Sequence, residues 1–293
     1  MNIIGIDIGG TNFRIGLVDE NNNVLSFKKV PTSAVIKSTS VLEDISEYVE
    51  DFIKDTPFDA LAIGFPATLS RERKKVLQAP NLRFMENLNV TDYLSKRLNV
   101  PVYAERDVTM AIYFDMAKYN IAASGITCAV YYGTGVGNAI CINGTPLVGK
   151  NGTAGELGHI PVIGDTTPCG CGNIGCIESL AGGKALRSIL ERFFPETPIS
   201  DVFTHHGNSA QIQQFLDNMS IAAASEVNIL DPDHLLIGGG VTNMTDFPKD
   251  RLKELIIKHS RKPYPAENLN IVFTEDEPAK SVIGAAIYAR TRI

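Results

Sequence analysis

Two stretches of this 293-residue chain repeat one design, and that repetition limits the folds open to it. Ile3 to Ile8 is apolar apart from Gly5 and Asp7, a Gly9-Gly10-Thr11 turn follows, and apolar residues resume from Phe13 to Val18. Asp19 to Asn23 reads as a turn before a third run, Val24 to Val30. Apolar runs of this length, broken by Gly, Asn and Asp, predict three antiparallel strands. Further on, Cys128 to Tyr132, a Gly133-Thr134-Gly135 turn, Gly137 to Ile142 and an Asn143-Gly144 turn repeat the pattern. Two related halves facing one cleft is the arrangement this suggests.

The stretches between are α/β in character. Leu42, Ile45, Val49 and Phe52 fall at helical spacing, and Ala60 to Phe65 reads as a buried strand stopped by Pro66. Helices are predicted around Gly183 to Phe194 and Ala210 to Leu230, and a strand over His234 to Ile237. A last helix, Ala279 to Ala289, is expected to pack back on the first domain. The length suffices for two domains that each bury a core. The expected division is residues 1–110 plus 279–293 against 111–278.

Charge and cysteine usage narrow the class. A formal net charge of -6 without a long Lys or Arg run argues against a nucleic-acid partner. The Met-Asn-Ile-Ile-Gly start has no basic or apolar leader character, and no stretch approaches the roughly 20 apolar residues of a membrane span, so the expectation is a cytoplasmic protein. Five cysteines, three of them (Cys169, Cys171, Cys176) within eight residues, form a metal pattern and not a disulfide framework.

At a hairpin, Gly9, Gly10 and Thr11 offer backbone N–H groups and a hydroxyl that a phosphate can approach without meeting a Cβ. Asp7 faces the same spot and could hold Mg²⁺ through water; a plain hairpin with a strand-end Asp is the alternative. Gly133-Thr134-Gly135-Val136-Gly137 fits neither the P-loop spacing nor the dinucleotide fingerprint, because the residues after it read as strand. Gly238-Gly239-Gly240, after an apolar run, supplies a third side-chain-free surface suited to an adenosine. Three such turns fit one nucleotide, ATP, gripped from both lobes.

His159 with Cys169, Cys171 and Cys176 offers one imidazole and three thiolates, a full tetrahedral set for structural Zn²⁺. Glycines at 170, 172 and 175 let the loop close around an ion, and an iron–sulfur cluster would ordinarily want four thiolates.

In order along nearly the whole chain, Asp7 to Thr11, Gly133 to Gly137 and Gly238 to Gly240 resemble the phosphate and adenosine segments of the hexokinase, heat-shock ATPase and actin superfamily. Within it, Gly155-Glu156-Leu157-Gly158-His159, the cysteine knuckle and Glu178 resemble the signature of the ROK family of repressors, open reading frames and kinases. The resemblance implies a two-lobed, ribonuclease H-like α/β fold with an interlobe cleft and a zinc knuckle. It implies a sugar site lined by Asn81, Glu156, His159 and Glu178, and it makes Asp107, in Glu105-Arg106-Asp107-Val108-Thr109, the base that takes the sugar hydroxyl proton. Read alone, Asp107 would be the capping residue of a following helix and Asn81 a turn residue. A homodimer is likewise what the resemblance implies.

Many glucokinases and N-acetylmannosamine kinases of that family carry Asn directly before the catalytic Asp, where this chain has Arg106. A guanidinium only donates, so it must change which hydroxyls fit. The Arg-Asp-Val version, with Gly64-Phe65-Pro66-Ala67, is similar to the allose-phosphorylating members, so the expected reaction is ATP-dependent phosphorylation of D-allose at its 6-hydroxyl. Glucose, another hexose and N-acetylmannosamine are the alternative acceptors, and an orientation of Arg106 toward Glu105 would undo the specificity argument. A sugar-sensing regulator would need a DNA-binding helix-turn-helix ahead of the first phosphate strand, which starts at Ile3, so none is expected. A nucleic-acid knuckle is disfavoured because no Lys, Arg or aromatic residue lies between His159 and Glu178. An ATPase with no sugar acceptor is the remaining reading.

Overall fold

In the computed structural model, which describes residues 1–54 and 56–293, the chain folds as two units. Met1–Ile121, Val148–Ala154 and Glu277–Ile293 form the first; Ala122–Leu147 and Gly155–Asp276 form the second.

The first unit begins with the predicted meander of β1 (Ile3–Ile8), β2 (Asn12–Val18) and β3 (Val24–Pro31). Its register sets Ile8 opposite Phe13 and Asp7 opposite Arg14. Two helices, α1 (Thr32–Val35) and α2 (Val41–Ile53), lead to β4 (Ala60–Phe65), which lies parallel to β1. A small hairpin of β5 (Thr68–Leu69) and β6 (Val76–Gln78) and a helix, α3 (Val90–Leu98), precede β7 (Val102–Arg106). β7 adds parallel to β4, giving the order β3-β2-β1-β4-β7, and α4 (Asp107–Lys118) starts where β7 stops. β1 and β4 are buried at every position, as unbroken apolar runs covered on both faces must be. β3, at the sheet edge, buries no position and carries Lys28 and Lys29.

The second unit repeats this path. β8 (Ile126–Tyr132), β9 (Val136–Ile142) and β10 (Thr145–Pro146) form a second meander, followed by α5 (Glu178–Ala181), α6 (Gly183–Phe193), α7 (Val202–His206) and α8 (Ala210–Leu230). β11 (His234–Gly238) lies parallel to β8; after α9 (Lys249–His259), β12 (Ile271–Phe273) lies parallel to β11. The order β10-β9-β8-β11-β12 is the first sheet's order over again, so the sequence repeat is a repeat of topology.

The chain ends in α10 (Lys280–Arg290), which returns to the first unit against β1 and α4. The first unit also keeps all of α4, in place of the break expected at residue 110. Met110, Ile112, Tyr113, Phe114 and Met116 of α4 are buried, and the two helices cross so closely that a Cβ on Gly284 would fall 1.9 Å from the Met110 carbonyl oxygen. Lys280 of α10 donates to Asp115 of α4 at 2.7 Å in this crossing; removing one partner of such a buried pair costs about 3–5 kcal/mol. The Val148–Ala154 loop, assigned from sequence to the second domain, also belongs to the first unit. Among the described residues no helix is long and apolar enough to cross a membrane.

Among the described residues, the second unit buries one acid. Glu226 of α8 is 4 % exposed and accepts from Asn138 Nδ2 at 2.7 and 2.8 Å and from the Cys128 thiol. Burial nevertheless pushes its carboxyl up to about 8. The folded state therefore holds a proton that the unfolded chain releases near 4.5, and stability falls as pH rises between those values. Urea unfolding at pH 5 and pH 8 should show Glu226→Gln losing less stability than the parent protein over that interval, the difference being about 3 kcal/mol.

Candidate functional site

In the first unit the carboxyl ends of the parallel strands β1 and β7 bring Asp7 and Asp107 together, which is where open α/β sheets place ligands. Asp7, 8 % exposed, accepts on Oδ2 from Arg14 Nη1 at 2.7 Å and from Ser281 Oγ at 3.0 Å. Burial pushes its carboxyl up, with Arg14 and Ser281 opposing. The Gly9-Gly10-Thr11 turn is closed by Gly9 N donating to Asn12 O at 2.8 Å and fastened to α1 by Thr32 Oγ1 donating to Gly9 O at 2.6 Å. Asn81 lies against this turn: a Cβ on Gly10 would sit 3.2 Å from its carbonyl oxygen.

Asp107 is the first residue of α4, and its Oδ1 accepts from Val108 N at 2.8 Å. A helix N-terminus favours the carboxylate, yet burial first and the charge of Asp7 second push this carboxyl up to about 7. Two facing acids and a buried site outweigh the helix end. The outcome is an aspartate poised to exchange a proton near neutral pH.

Arg106 Nη1 donates to the Ala154 carbonyl at 2.8 Å, and its backbone N donates to Glu105 Oε1 at 2.9 Å. The guanidinium thus has a fixed partner beside Asp107.

In the second unit the Gly133-to-Gly137 turn is clasped from behind by the start of α6: Gly183 N donates to Gly133 O at 2.8 Å and Lys184 N to Thr134 O at 3.0 Å. Glu178, expected from the sequence resemblance to line a sugar site, accepts on Oε2 from Val136 N at 3.0 Å. Its carboxylate so ties the second glycine turn to the short helix that follows the cysteine loop. The Gly238-Gly239-Gly240 turn stands beside it at the end of β11. Gly239 has φ +101° and a Cβ there would strike the Tyr132 backbone at 2.5 Å, so only glycine fits. The two glycine turns adjoin at the carboxyl ends of β8 and β11, Val241 N donating to Tyr132 O at 2.9 Å, and a Cβ on Gly133 or Gly240 would meet nothing within 4 Å.

His159, Cys169, Cys171 and Cys176 converge as the spacing predicts, with one ligand atom from each lying within 4.8 Å of the others. Tetrahedral zinc, about 2.3 Å from sulfur and about 2.0 Å from nitrogen, sets sulfur atoms about 3.8 Å apart and sulfur about 3.5 Å from nitrogen. Cys171 Sγ and Cys176 Sγ are 3.7 Å apart, and Cys169 Sγ is 3.6 Å from His159 Nδ1. The donor set fits zinc, with Nδ1 as the ring ligand. His159 Nε2 then points the other way, 3.8 Å from Glu156 Oε2.

Sequence reasoning missed Arg14 and Ser281, the two partners of Asp7. Arg14 was within reach: counting outward across the Gly9-to-Asn12 turn puts it directly opposite Asp7. Ser281, 274 residues away, left no local signal.

A family model described as "ROK family" matches residues 3–292. A glucokinase of Thermotoga maritima is 26% identical over 317 residues, covering 100% of this chain and 98% of that protein. An N-acetyl-D-glucosamine kinase of Salmonella newport is 28% identical over 281 residues, covering 88% and 91%. Among solved structures, a ROK family glucokinase from Streptomyces griseus in complex with glucose and AMPPNP superimposes with a TM-score of 0.80 at 24% identity, covering 99% of this chain and 100% of that one.

Proposed function

Because the chain belongs to the ROK family, we propose that it transfers the γ-phosphoryl group of ATP to the 6-hydroxyl of a hexose, with D-allose as the preferred acceptor. The observation that carries this reading is Asp107, held at the end of β7 with its carboxyl pushed up to about 7. A general base works best with a pKa near the operating pH. Asp107 takes the hydroxyl proton as the sugar oxygen attacks phosphorus; ADP leaves, and the proton departs later to solvent.

The remaining groups position and neutralise. The bare backbone at Gly9 to Thr11, Gly133 to Gly137 and Gly238 to Gly240 is suited to phosphates and adenosine. Asp7 would hold Mg²⁺ through water, and the ion would neutralise charge on the phosphates; the buried carboxylate fits that task, with Arg14 as its present counter-charge. Zinc on His159 Nδ1 would fix the tautomer and leave Nε2–H to donate to a sugar hydroxyl, with Asn81, Glu156 and Glu178 as further sugar contacts. Relatives named as glucokinase and N-acetyl-D-glucosamine kinase support the sugar-kinase class.

For the acceptor, Arg106 supports allose because a donor-only group beside the base suits an epimer whose 3-hydroxyl is inverted. A panel of allose, glucose, mannose, fructose, N-acetylmannosamine and N-acetylglucosamine, read by ADP release with Mg²⁺, tests both levels. Allose should lead by at least tenfold in kcat/KM, and Arg106→Asn should shrink that lead in favour of glucose. A lead for glucose or N-acetylmannosamine in the parent protein keeps the kinase and removes allose. ADP release independent of every sugar removes the kinase reading itself, and sugar binding without turnover points to a sensor.

A further inference from the structure

Arg73 lies in the turn of the β5–β6 hairpin with φ +57°, a left-handed conformation in which glycine or asparagine is the inexpensive residue. The side chain held there makes two contacts that nothing so far has used. Nε donates to Glu105 Oε2 at 2.9 Å, and Nη1 donates to the Gly152 carbonyl at 2.9 Å. Glu105 is fully buried, and it also accepts from Tyr288 Oη of α10 at 3.4 Å and, on Oε1, from the backbone N of Arg106. Arg106 in turn reaches the same loop two residues later, at Ala154.

Two arginines therefore hold two carbonyls of one loop, Gly152 by Arg73 and Ala154 by Arg106, and both arginines are tied to Glu105. Within the loop Ala154 N donates to Val148 O at 3.1 Å and Gly152 N to Gly149 O at 3.5 Å, and Gly152 lies so close to β5 that a Cβ there would fall 2.5 Å from the Leu69 carbonyl oxygen. Glu105 is two residues before Asp107, and Ala154 is two residues before Glu156. We propose that Arg73 and Glu105 are positioning residues, which clamp the Val148–Ala154 loop to the end of β7 and so set the aim of Arg106 and Asp107. Neither touches substrate. Tethering works here through fixed geometry, since a misplacement of about 1 Å at a reacting group can cost on the order of a hundredfold in rate.

This inference rests on the sugar-kinase reading for its kinetic part and is independent of it for its structural part. Arg73→Gly suits the backbone conformation while deleting the clamp; the double variant Arg73→Gly/Glu105→Gln also avoids leaving a buried carboxylate without its cation. Trypsin cleavage after the exposed Lys150, in the middle of the loop, is read first. Both variants should be cut there at least tenfold faster than the parent protein, with the thermal transition of the double variant kept. In the turnover assay, kcat with the preferred sugar should fall at least tenfold while KM for ATP stays within twofold, and Arg73→Lys, which keeps the ion pair but only one donor direction, should recover part of the loss. Unchanged cleavage at Lys150, or kcat within twofold of the parent in the double variant, overturns the proposal. Absence of sugar-dependent turnover in the parent protein itself overturns the kinase reading and leaves the proteolysis result to decide on the clamp.

Discussion

Asp107→Asn should lower kcat by about 10²–10⁴-fold while leaving sugar and nucleotide binding nearly intact, because the amide keeps the size of the carboxylate and cannot accept the hydroxyl proton. The pH profile makes the assignment specific. Catalysis needs the ionised carboxylate, and burial together with the neighbouring charge of Asp7 puts its proton loss at about 7. In the parent protein kcat/KM should therefore climb about tenfold per pH unit below that point and level off above it. The variant should show a low, flat profile over the same range. Asp7→Asn gives the complementary check: removing the second-largest cause of the upward shift should move the acid limb of the profile to lower pH. An Asp107→Asn enzyme that retains a tenth of the parent rate would assign the proton to another group.

Loss of the zinc proposed for His159, Cys169, Cys171 and Cys176 should have the second large effect. The ends of the loop between His159 and Cys176 are anchored, Ile160 and Val162 packing on the second core, but its middle has little core of its own, with Ile163 and Ile174 103% and 63% exposed. Structural zinc in such small loops supplies about 10–16 kcal/mol of apparent folding free energy. Chelation, or Cys176→Ser, should therefore disorder the loop while the two sheets stay folded. Metal analysis of the purified protein should find one zinc per chain. KM for the sugar should rise at least tenfold, since His159 loses its fixed tautomer and Glu178 loses the loop that leads into its helix; KM for ATP should change far less. Full activity in a metal-free sample would make the cysteine cluster irrelevant to the site.

β1, β8 and β11 were legible because they are largely apolar runs that stop at glycine turns, and period and punctuation define such elements. The convergence of His159, Cys169, Cys171 and Cys176 was legible for the same reason, being fixed by short spacings. What could not be read was made by pairing across long separations. Ser281 on Asp7, Arg73 on Glu105 and the return of residues 148–154 to the first unit depend on the fold being complete. The β5–β6 hairpin, with strands of two and three residues, is too short to leave a periodic signal. The extent of the first unit was hidden on a related ground: α4 looks like the start of something new in sequence and is held by α10 from the other end of the chain.

The two meanders follow the same path, yet they are not chemically equal. Where β1 and β2 set Asp7 opposite Arg14, the corresponding rung of β8 and β9 sets Tyr131 opposite Gly137. The duplicated scaffold therefore carries an ionisable pair in one copy and none in the other. Grafting Asp at position 131 would consequently add a charge with no counter-ion across the ladder to balance it.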